Sequence, residues 1–182
     1  MSDDFKINDA TYSGTKEVDQ NLKFDTNLLQ DWMHEHIPNC ESISSVEQFK
    51  GGQSNPTYKI LTKTDAYVLR RKPPGKLLPK AHAVDREYKV ISSLEETDVP
   101  VPKTFGLCDD HDVVGTPFFM MEFVEGKVFW DHLLPSCSKT ERAQIYRDKN
   151  RVIAALHGVD YNAVGLNDFG KTGDYVCLLY TS

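Results

Sequence analysis

The chain has 182 residues, of which 40% are hydrophobic and 26% charged, which is typical of a folded globular protein and excludes a disordered one. Its formal net charge is -6 at pH 7, so a general nucleic-acid partner is not expected. No apolar run approaches the roughly 18 residues of a membrane-spanning helix, and the acidic start is typical of a cytoplasmic protein. One local group of cations suits a small anionic ligand better than a polymer, namely Arg70, Arg71, Lys72, Lys76 and Lys80.

The amino-terminal part predicts a lead-in followed by one short helix. Residues 1–24 are polar and rich in Asp, Asn and Thr, and they predict a flexible segment. Asp25 or Thr26 can cap an amphipathic helix that carries Trp32 on its apolar side, and Pro38 ends it. Beyond this helix, the pattern predicts about five strands with one inserted helix, followed by further helices.

A glycine turn lies between the first two predicted strands, residues 42–49 and 58–61. Because it joins strand to strand and lacks a terminal Gly-Lys-Ser/Thr, it is not a Walker-type phosphate loop. Glycines allow the backbone to approach phosphates closely, and backbone amides and a serine hydroxyl can donate to them. Taken alone, these residues fit a plain hairpin turn better than a phosphate-binding turn. The candidate phosphate-binding residues are Gly51, Gly52, Gln53 and Ser54.

The next predicted strand, residues 67–70, ends in cations. Strand alternation places Val68, Arg70 and Lys72 on one face. Val68 would then line a base pocket. Arg70, two positions later in the strand, would point towards the phosphates. Lys72 competes for this role, but it abuts Pro73, where the strand ends. Taken alone, these cations could equally be solvated surface residues.

A predicted helix with a glutamate follows the cation-bearing strand. Its apolar positions recur at helical spacing and include Val84, Tyr88, Ile91 and Leu94. Glu87 lies beside them, so it can face the sheet and pair with Arg70. A glutamate on a helix is usually solvated surface. The order of glycine turn, strand cation and helix glutamate nevertheless favours a nucleotide site with Arg70 as the phosphate clamp.

The next pair of strands is predicted at residues 103–107 and 118–123. The segment at the end of the second strand, residues 120–126, is the expected hinge. The backbone at Glu122 and Phe123 can offer a donor and an acceptor to an adenine edge, while Met121 and Phe123 supply apolar walls. An ordinary core strand end remains the alternative. After Gly126 the pattern becomes helical, and the Ser138–Glu141 sequence has the form of a capping box.

Four segments in this order resemble the aminoglycoside-phosphotransferase-like kinases: residues 51–58, 67–75, 81–88 and 121–126. The resemblance covers about residues 45 to 176 and is greatest to the kinase-like domain found ahead of acyl-CoA dehydrogenase domains in multidomain proteins of fatty-acid catabolism. It implies an α+β, protein-kinase-like fold, with an antiparallel-sheet amino-terminal lobe over residues 25–126. Residues 127–182 would begin a truncated helical lobe.

The same resemblance implies a function. It implies ATP and Mg²⁺ as cofactors and a small-molecule hydroxyl as acceptor, with 4-hydroxyacyl-CoA as the candidate substrate. It also implies a downstream acyl-CoA dehydrogenase domain in the intact protein and a peroxisomal or mitochondrial location for that protein. The rival expectation is a nucleotide-binding pseudokinase or scaffolding module without catalysis.

Two departures from the family pattern qualify these expectations. A lysine usually holds the phosphates, whereas Arg70 occupies the aligned position. The catalytic His-Gly-Asp motif, its Asn five residues later and a later metal-binding Asp are expected downstream of Ser182. The chain is therefore expected to be an inactive fragment, and its apolar ending, residues 176–182, to be truncated or misread.

A second rival is a protein-kinase lobe that uses Asp160 and Asp168. The sequence from His157 to Asp160 followed by Asp168-Phe169-Gly170 imitates a catalytic loop and metal motif. The spacing fails, because Asp160 lies one residue late and Gly165 stands where a metal-binding Asn is required. Eight positions from Asp160 to Asp168 are also too few for the intervening hairpin. A helix end followed by a turn explains these residues better.

Overall fold

The computed structural model describes residues 13–51, 54–75 and 82–170. Within them, an antiparallel sheet of six strands has the order β1-β2-β3-β4-β6-β5. The strands are β1 (Thr15–Lys16), β2 (Ser45–Phe49), β3 (Thr57–Leu61), β4 (Ala66–Arg71), β5 (Thr104–Cys108) and β6 (Phe118–Glu122). The α-helices are α1 (Thr26–His36), α2 (Val84–Leu94), α3 (His111–Val114) and α4 (Lys139–His157). The α+β fold expected from the sequence is confirmed.

The two faces of the sheet have different partners. Leu69 of β4 and Phe118 of β6 pack with helix α1 in the main hydrophobic core, where Leu29 and Met33 are fully buried. On the opposite face, α2 packs against β6, with the rings of Tyr88 and Phe119 6.0 Å apart. Because side chains alternate along a strand, neighbouring residues of β4 meet different environments.

Helix α1 begins and ends close to its predicted limits. The Asp25 side chain accepts a hydrogen bond from the backbone of Asn27 at 2.8 Å and so caps the helix. Trp32 packs edge-on against Phe118, with ring centroids 5.0 Å apart. Gly106 of β5 lies under the same indole, and a Cβ there would be 3.3 Å from it. Its φ of 154° also favours glycine at this irregular point of the strand.

Arg71 is a buried cation that ties β4 to two distant segments. Its side chain donates to Tyr58 Oη at 3.1 Å, to the Val114 carbonyl at 2.6 Å and to the Leu22 carbonyl at 2.6 Å. Burial raises the pKa of Tyr58, so its hydroxyl stays neutral and can accept this bond. The sequence places Arg71 in the cation group suited to an anionic ligand. That assignment is wrong for Arg71, because strand alternation turns its guanidinium into the core and away from the face of the sheet that carries Arg70.

Three short elements were not predicted. Within the expected flexible lead-in, residues 1–24, β1 pairs with β2, and a 3₁₀ turn covers Gln20–Leu22. A two-residue strand leaves no periodic signal, and it forms because β2 offers an open edge. Helix α3 is also short, capped by Asp110 and ended by Gly115 at φ 87°. The lobe boundaries proposed from the sequence stay predictions.

Helix α4 begins with the predicted capping box. The Ser138 hydroxyl accepts from the Glu141 backbone at 3.3 Å, and the Glu141 carboxylate accepts from the Ser138 backbone at 2.7 Å. This second bond lowers the pKa of Glu141. None of the helices in the described part of the chain combines the length and the apolar character needed to cross a membrane.

Candidate functional site

Arg70 and Glu87 form a two-point ion pair on the face of the sheet opposite α1. Arg70 Nε donates to Glu87 Oε2 at 2.5 Å, and Nη2 donates to Oε1 at 3.3 Å. The contact predicted between the strand cation and the helix glutamate is therefore present. A bidentate contact fixes the plane of the guanidinium group. Both side chains remain partly exposed, so the pair is open to a ligand on one side.

Three further residues surround this pair. Arg70 Nη1 donates to the Thr57 hydroxyl at 2.9 Å, and Asn55 Nδ2 donates to Glu87 Oε1 at 2.9 Å. The other side of the Asn55 amide lies 2.9 Å from His82 Nδ1, which must carry the proton in this contact. Asn55 is only 1% exposed. The buried Asn55 amide therefore joins the end of the glycine turn to the start of α2.

The sequence reasoning missed Asn55, Thr57 and His82 as site residues. Asn55 and Thr57 end the glycine turn, a natural place to search for partners of a strand cation. His82 carries no such signal, because its contact spans 27 residues and depends on the path of the chain into α2. Local patterns do not reveal contacts of this kind.

A cleft of about 1140 Å³ opens beside the ion pair. Val68, Met121 and Phe123 line it, as the sequence predicts for the walls of a base pocket. Trp130 also lines the cleft, and its indole N–H donates to the Ser13 hydroxyl at 2.9 Å. The cleft walls are therefore mainly apolar, which suits a flat ring system.

A second cavity of about 620 Å³ adjoins the cleft, and Thr57, Pro102 and Met121 line both spaces. Arg70 and Glu87 line this second cavity. Continuous space therefore extends from the apolar walls to the ion pair. A ligand with an apolar ring in the cleft and an anionic tail in the second cavity fits this arrangement.

The glycine turn borders the cleft at its first residue. Gly51 lines the cleft, and Ser54 is exposed immediately before the buried Asn55. Gly52 and Gln53 lie outside the described residues. The phosphate-binding role of these four turn residues stays a prediction.

The expected hinge uses its backbone donors internally. The backbone N–H of Glu122 donates to the Lys103 carbonyl at 2.9 Å, and that of Phe123 donates to the Ala66 carbonyl at 3.4 Å. The Phe123 ring stacks near Phe49, with centroids 6.4 Å apart. The hinge segment therefore borders the cleft, but a donor to an adenine edge would have to come from a residue after Phe123.

Lys72, the competing cation, is placed differently from Arg70. Its ammonium lies 3.7 Å from Asp85 Oδ1, and its backbone N–H donates to the Pro117 carbonyl at 3.0 Å. Lys72 does not line either of the two spaces, whereas Arg70 lines the second cavity. The geometry therefore favours Arg70 as the cation that faces a ligand.

Asp160 and Asp168 have separate structural partners. Asp160 Oδ1 accepts from the backbone of Asn162 at 2.9 Å and so closes a turn. Asp168 pairs with Lys89 of α2 at 2.5 Å, and this hydrogen bond holds the pKa of Asp168 below its ordinary value. In the described ranges, no group of three His, Cys, Asp or Glu side chains could hold a metal ion. The protein-kinase interpretation of these two aspartates gains no support.

An antiparallel sheet with one inserted helix, whose glutamate holds a strand cation beside an apolar cleft, defines the class of kinase-like phosphotransferases. Within this class, the sequence model of the phosphotransferase enzyme family (APH) matches residues 45–177, and the chain belongs to that family. A solved structure from Ralstonia eutropha, named as an aminoglycoside phosphotransferase, shares 50% sequence identity and superposes with a TM-score of 0.73. The match covers 84% of this chain and 44% of that one.

The similar curated proteins are much longer than this chain. Acyl-CoA dehydrogenase family member 11 of Rattus norvegicus is 42% identical over 165 residues, which cover 88% of this chain and 21% of the rat protein. The Arabidopsis thaliana protein named probable acyl-CoA dehydrogenase IBR3 is 49% identical over 144 residues, which cover 76% of this chain and 18% of that protein. The chain thus spans about a fifth of the length of these relatives.

Proposed function

We propose that the chain binds ATP as part of a phosphotransferase whose acceptor is a hydroxyl group of a small molecule. The observation that carries this proposal is the Arg70–Glu87 ion pair at the end of an apolar cleft. Membership of the phosphotransferase family supports it independently. The acidic net charge is consistent with a small anionic ligand held at one local cation.

Each part of the cleft suits one part of ATP. Val68 and Met121 would contact the adenine faces, and the carbonyl of Glu122 would accept from the adenine edge. The matching donor would follow Phe123, whose own N–H group is already used. Arg70 would hold the phosphates, and Glu87 would orient its guanidinium group.

The glycine turn would cover the phosphates from above. Backbone amides of Gly51, Gly52 and Gln53, with the Ser54 hydroxyl, are the proposed donors. Phosphoryl transfer depends mainly on positioning and on charge stabilisation, so a fixed cation and a turn of amides are useful contributions. These residues bind and orient the triphosphate, and the apolar walls exclude water from the base.

Magnesium accompanies ATP in this family and neutralises charge on the phosphoryl group that is transferred. The residues that the structure describes hold no cluster of three metal-ligating side chains, so they do not form a metal cage. We assign the metal ligands and the general base to residues other than those described. The Arg70 clamp and its partners act on the nucleotide alone.

The proposed acceptor is 4-hydroxyacyl-CoA, and the proposed covalent partner in the intact protein is a downstream acyl-CoA dehydrogenase domain. The names of the longer relatives support this proposal. A hydroxyacyl thioester phosphorylated on its hydroxyl would gain a leaving group that later chemistry can expel. We also propose a peroxisomal or mitochondrial location for the intact protein.

The second candidate is a nucleotide-binding pseudokinase. The arginine in place of the usual lysine favours it, because arginine changes the geometry of phosphate contact. Both candidates predict ATP binding, and only the first predicts transfer. Transfer should therefore be measured in a full-length multidomain form, with hydroxyacyl-CoA as the acceptor.

The first experiment is calorimetric titration of ATP with Mg²⁺ into the 182-residue chain. We expect saturable binding that Arg70→Ala weakens and Lys72→Ala changes little, because Arg70 lines the second cavity and Lys72 does not. No binding by the wild-type chain would overturn both candidates. Binding without transfer in the full-length form would favour the pseudokinase.

A further inference from the structure

Helix α2 carries Glu87, yet parts of the helix are weakly held. Two of its 11 residues, Val84 and Leu94, are buried, and its N-cap residue Ala83 makes no side-chain capping bond. The cavity of about 620 Å³ lies along the helix, lined by Val90 and Ile91. A helix with open space on one side has few contacts to hold it there, and such elements move readily.

Residues 168–170, called the strap below, contact α2 beside this cavity. The Phe169 carbonyl accepts from Arg86 Nη2 at 2.9 Å, and the Arg86 guanidinium stacks over the Phe169 ring at 3.9 Å. Asp168 Oδ1 accepts from Lys89 Nζ at 2.5 Å. Arg86 and Lys89 lie on either side of Glu87 in the helix, so the strap contacts the residues that bracket it.

The Phe169 ring and its stacking on Arg86 hold the helix more than the Lys89–Asp168 ion pair does. The Asp168 and Lys89 side chains are 70% and 41% exposed, and such exposed pairs contribute little alone. Phe169 is half-buried and lines the same cavity as Arg70 and Glu87. Its ring therefore fills space next to the ion pair, and a loss of the ring would enlarge that space. The helix would then be free to shift, and Glu87 would shift with it.

We propose that Asp168 and Phe169 are positioning residues that hold α2 so that Glu87 keeps the Arg70 guanidinium aimed at the nucleotide. The Asp-Phe-Gly sequence thereby has a role, although it resembles a metal motif only by composition. The effect on nucleotide binding rests on the proposed function. The effect on the helix does not.

Hydrogen exchange without nucleotide tests the hold on the helix. In Phe169→Ala, we expect the amides of α2 to exchange about tenfold faster, whereas the sheet exchanges as in the wild type. Arg86→Gln removes the same stacking contact by changing the helix, and it should also speed exchange in α2. This second variant keeps the test valid if Phe169→Ala fails to fold. Asp148→Asn is the matched control, because it breaks a similarly exposed ion pair, with Arg151 on α4. Unchanged exchange in α2 would overturn the proposal.

A double-mutant cycle tests whether the strap acts through Glu87. Phe169→Ala should weaken ATP binding about fivefold in the wild-type background and have little effect in the Glu87→Gln background. A purely structural role would give the same loss in both backgrounds and would overturn positioning through Glu87. If the wild-type chain binds no ATP, the proposed function fails, and the exchange experiment alone then decides whether the strap holds the helix.

Discussion

Arg70 and Arg71 are neighbours in β4, yet they lie in opposite surroundings. Arg70 lines the second cavity, pairs with a carboxylate and remains partly exposed. Arg71 faces the core, is 3% exposed and donates to two carbonyls and a tyrosine hydroxyl. Two identical side chains therefore serve different ends, because a strand turns successive residues to opposite faces. The comparison predicts that mutation of Arg71 affects stability and that mutation of Arg70 affects binding.

The largest expected effect is on stability, in Arg71→Met. Methionine fills similar space but removes the charged donor to the Val114 and Leu22 carbonyls, and only the Leu22 carbonyl keeps a second donor, the Tyr58 hydroxyl at 3.3 Å. We expect the free energy of unfolding to fall by about 3 kcal/mol, because buried acceptors that lose a charged donor are costly. Urea unfolding followed by circular dichroism measures this loss.

The control for Arg71→Met is Lys16→Met, which breaks an exposed ion pair with Asp19. That change should leave the free energy of unfolding nearly unchanged, because exposed ion pairs contribute little. A similar result for Arg71→Met would contradict the role given to the core face of β4.

The next largest effect is on binding, in Arg70→Ala. We expect ATP affinity to fall by about 1.5–3 kcal/mol, because a charge-assisted contact to phosphate is lost. Stability should change less than in Arg71→Met, since the Arg70 side chain is partly exposed. Calorimetric titration of ATP measures the loss, with Lys72→Ala as control. If Lys72→Ala weakened binding more than Arg70→Ala, Lys72 would be the phosphate clamp.

A smaller, mixed effect is expected from Asn55→Leu. The change removes the donor to Glu87 and the acceptor for His82, while the side-chain volume stays similar. We expect the free energy of unfolding to fall by about 1–2 kcal/mol. The loss in ATP affinity should be smaller, because water can reach Glu87 and replace the lost donor. Unfolding and titration on the same variant separate the two losses. Affinity lost without any loss of stability would show that Asn55 contacts the nucleotide directly.

The smallest effect concerns the pH dependence of the strap. The pKa of Asp168 lies below its ordinary value of 3.8 in the folded chain, chiefly because of the hydrogen bond from Lys89. Its stabilising contribution is therefore present above pH 3.8 and is lost as the pH falls through the folded pKa. The difference in melting temperature between wild type and Asp168→Asn should vanish in that acidic range. A difference that grows on acidification would contradict the assigned sign.

Local patterns predicted much of the cleft face. The alternation of β4 correctly placed Val68 and Arg70 on one side, and the helical spacing around Glu87 correctly turned it to the sheet. These predictions succeed because one strand and one helix each have a fixed period. The binding roles themselves stay predictions, and Gly52 and Gln53 lie outside the described residues.

The core face was harder to predict. The partners of Arg71 at Leu22 and Val114 are 49 and 43 residues away, and both contacts depend on short elements without periodic signal. The hydrogen bond between the buried Asn55 and the partly exposed His82 likewise depends on how a loop enters α2. Sequence patterns indicate which face a side chain takes. They do not indicate which distant backbone groups will meet it there.

The chain has two tryptophans, and they lie on different sides of the sheet. Trp32 is buried with α1 in the core, whereas Trp130 lines the cleft. The intrinsic fluorescence of the protein therefore combines the emission of Trp32, which reports on the core, with that of Trp130, which reports on the cleft. In Trp32→Phe, the remaining emission should respond to an added nucleotide. In Trp130→Phe, it should follow unfolding, so the molecule contains separate optical signals for occupancy and for folding.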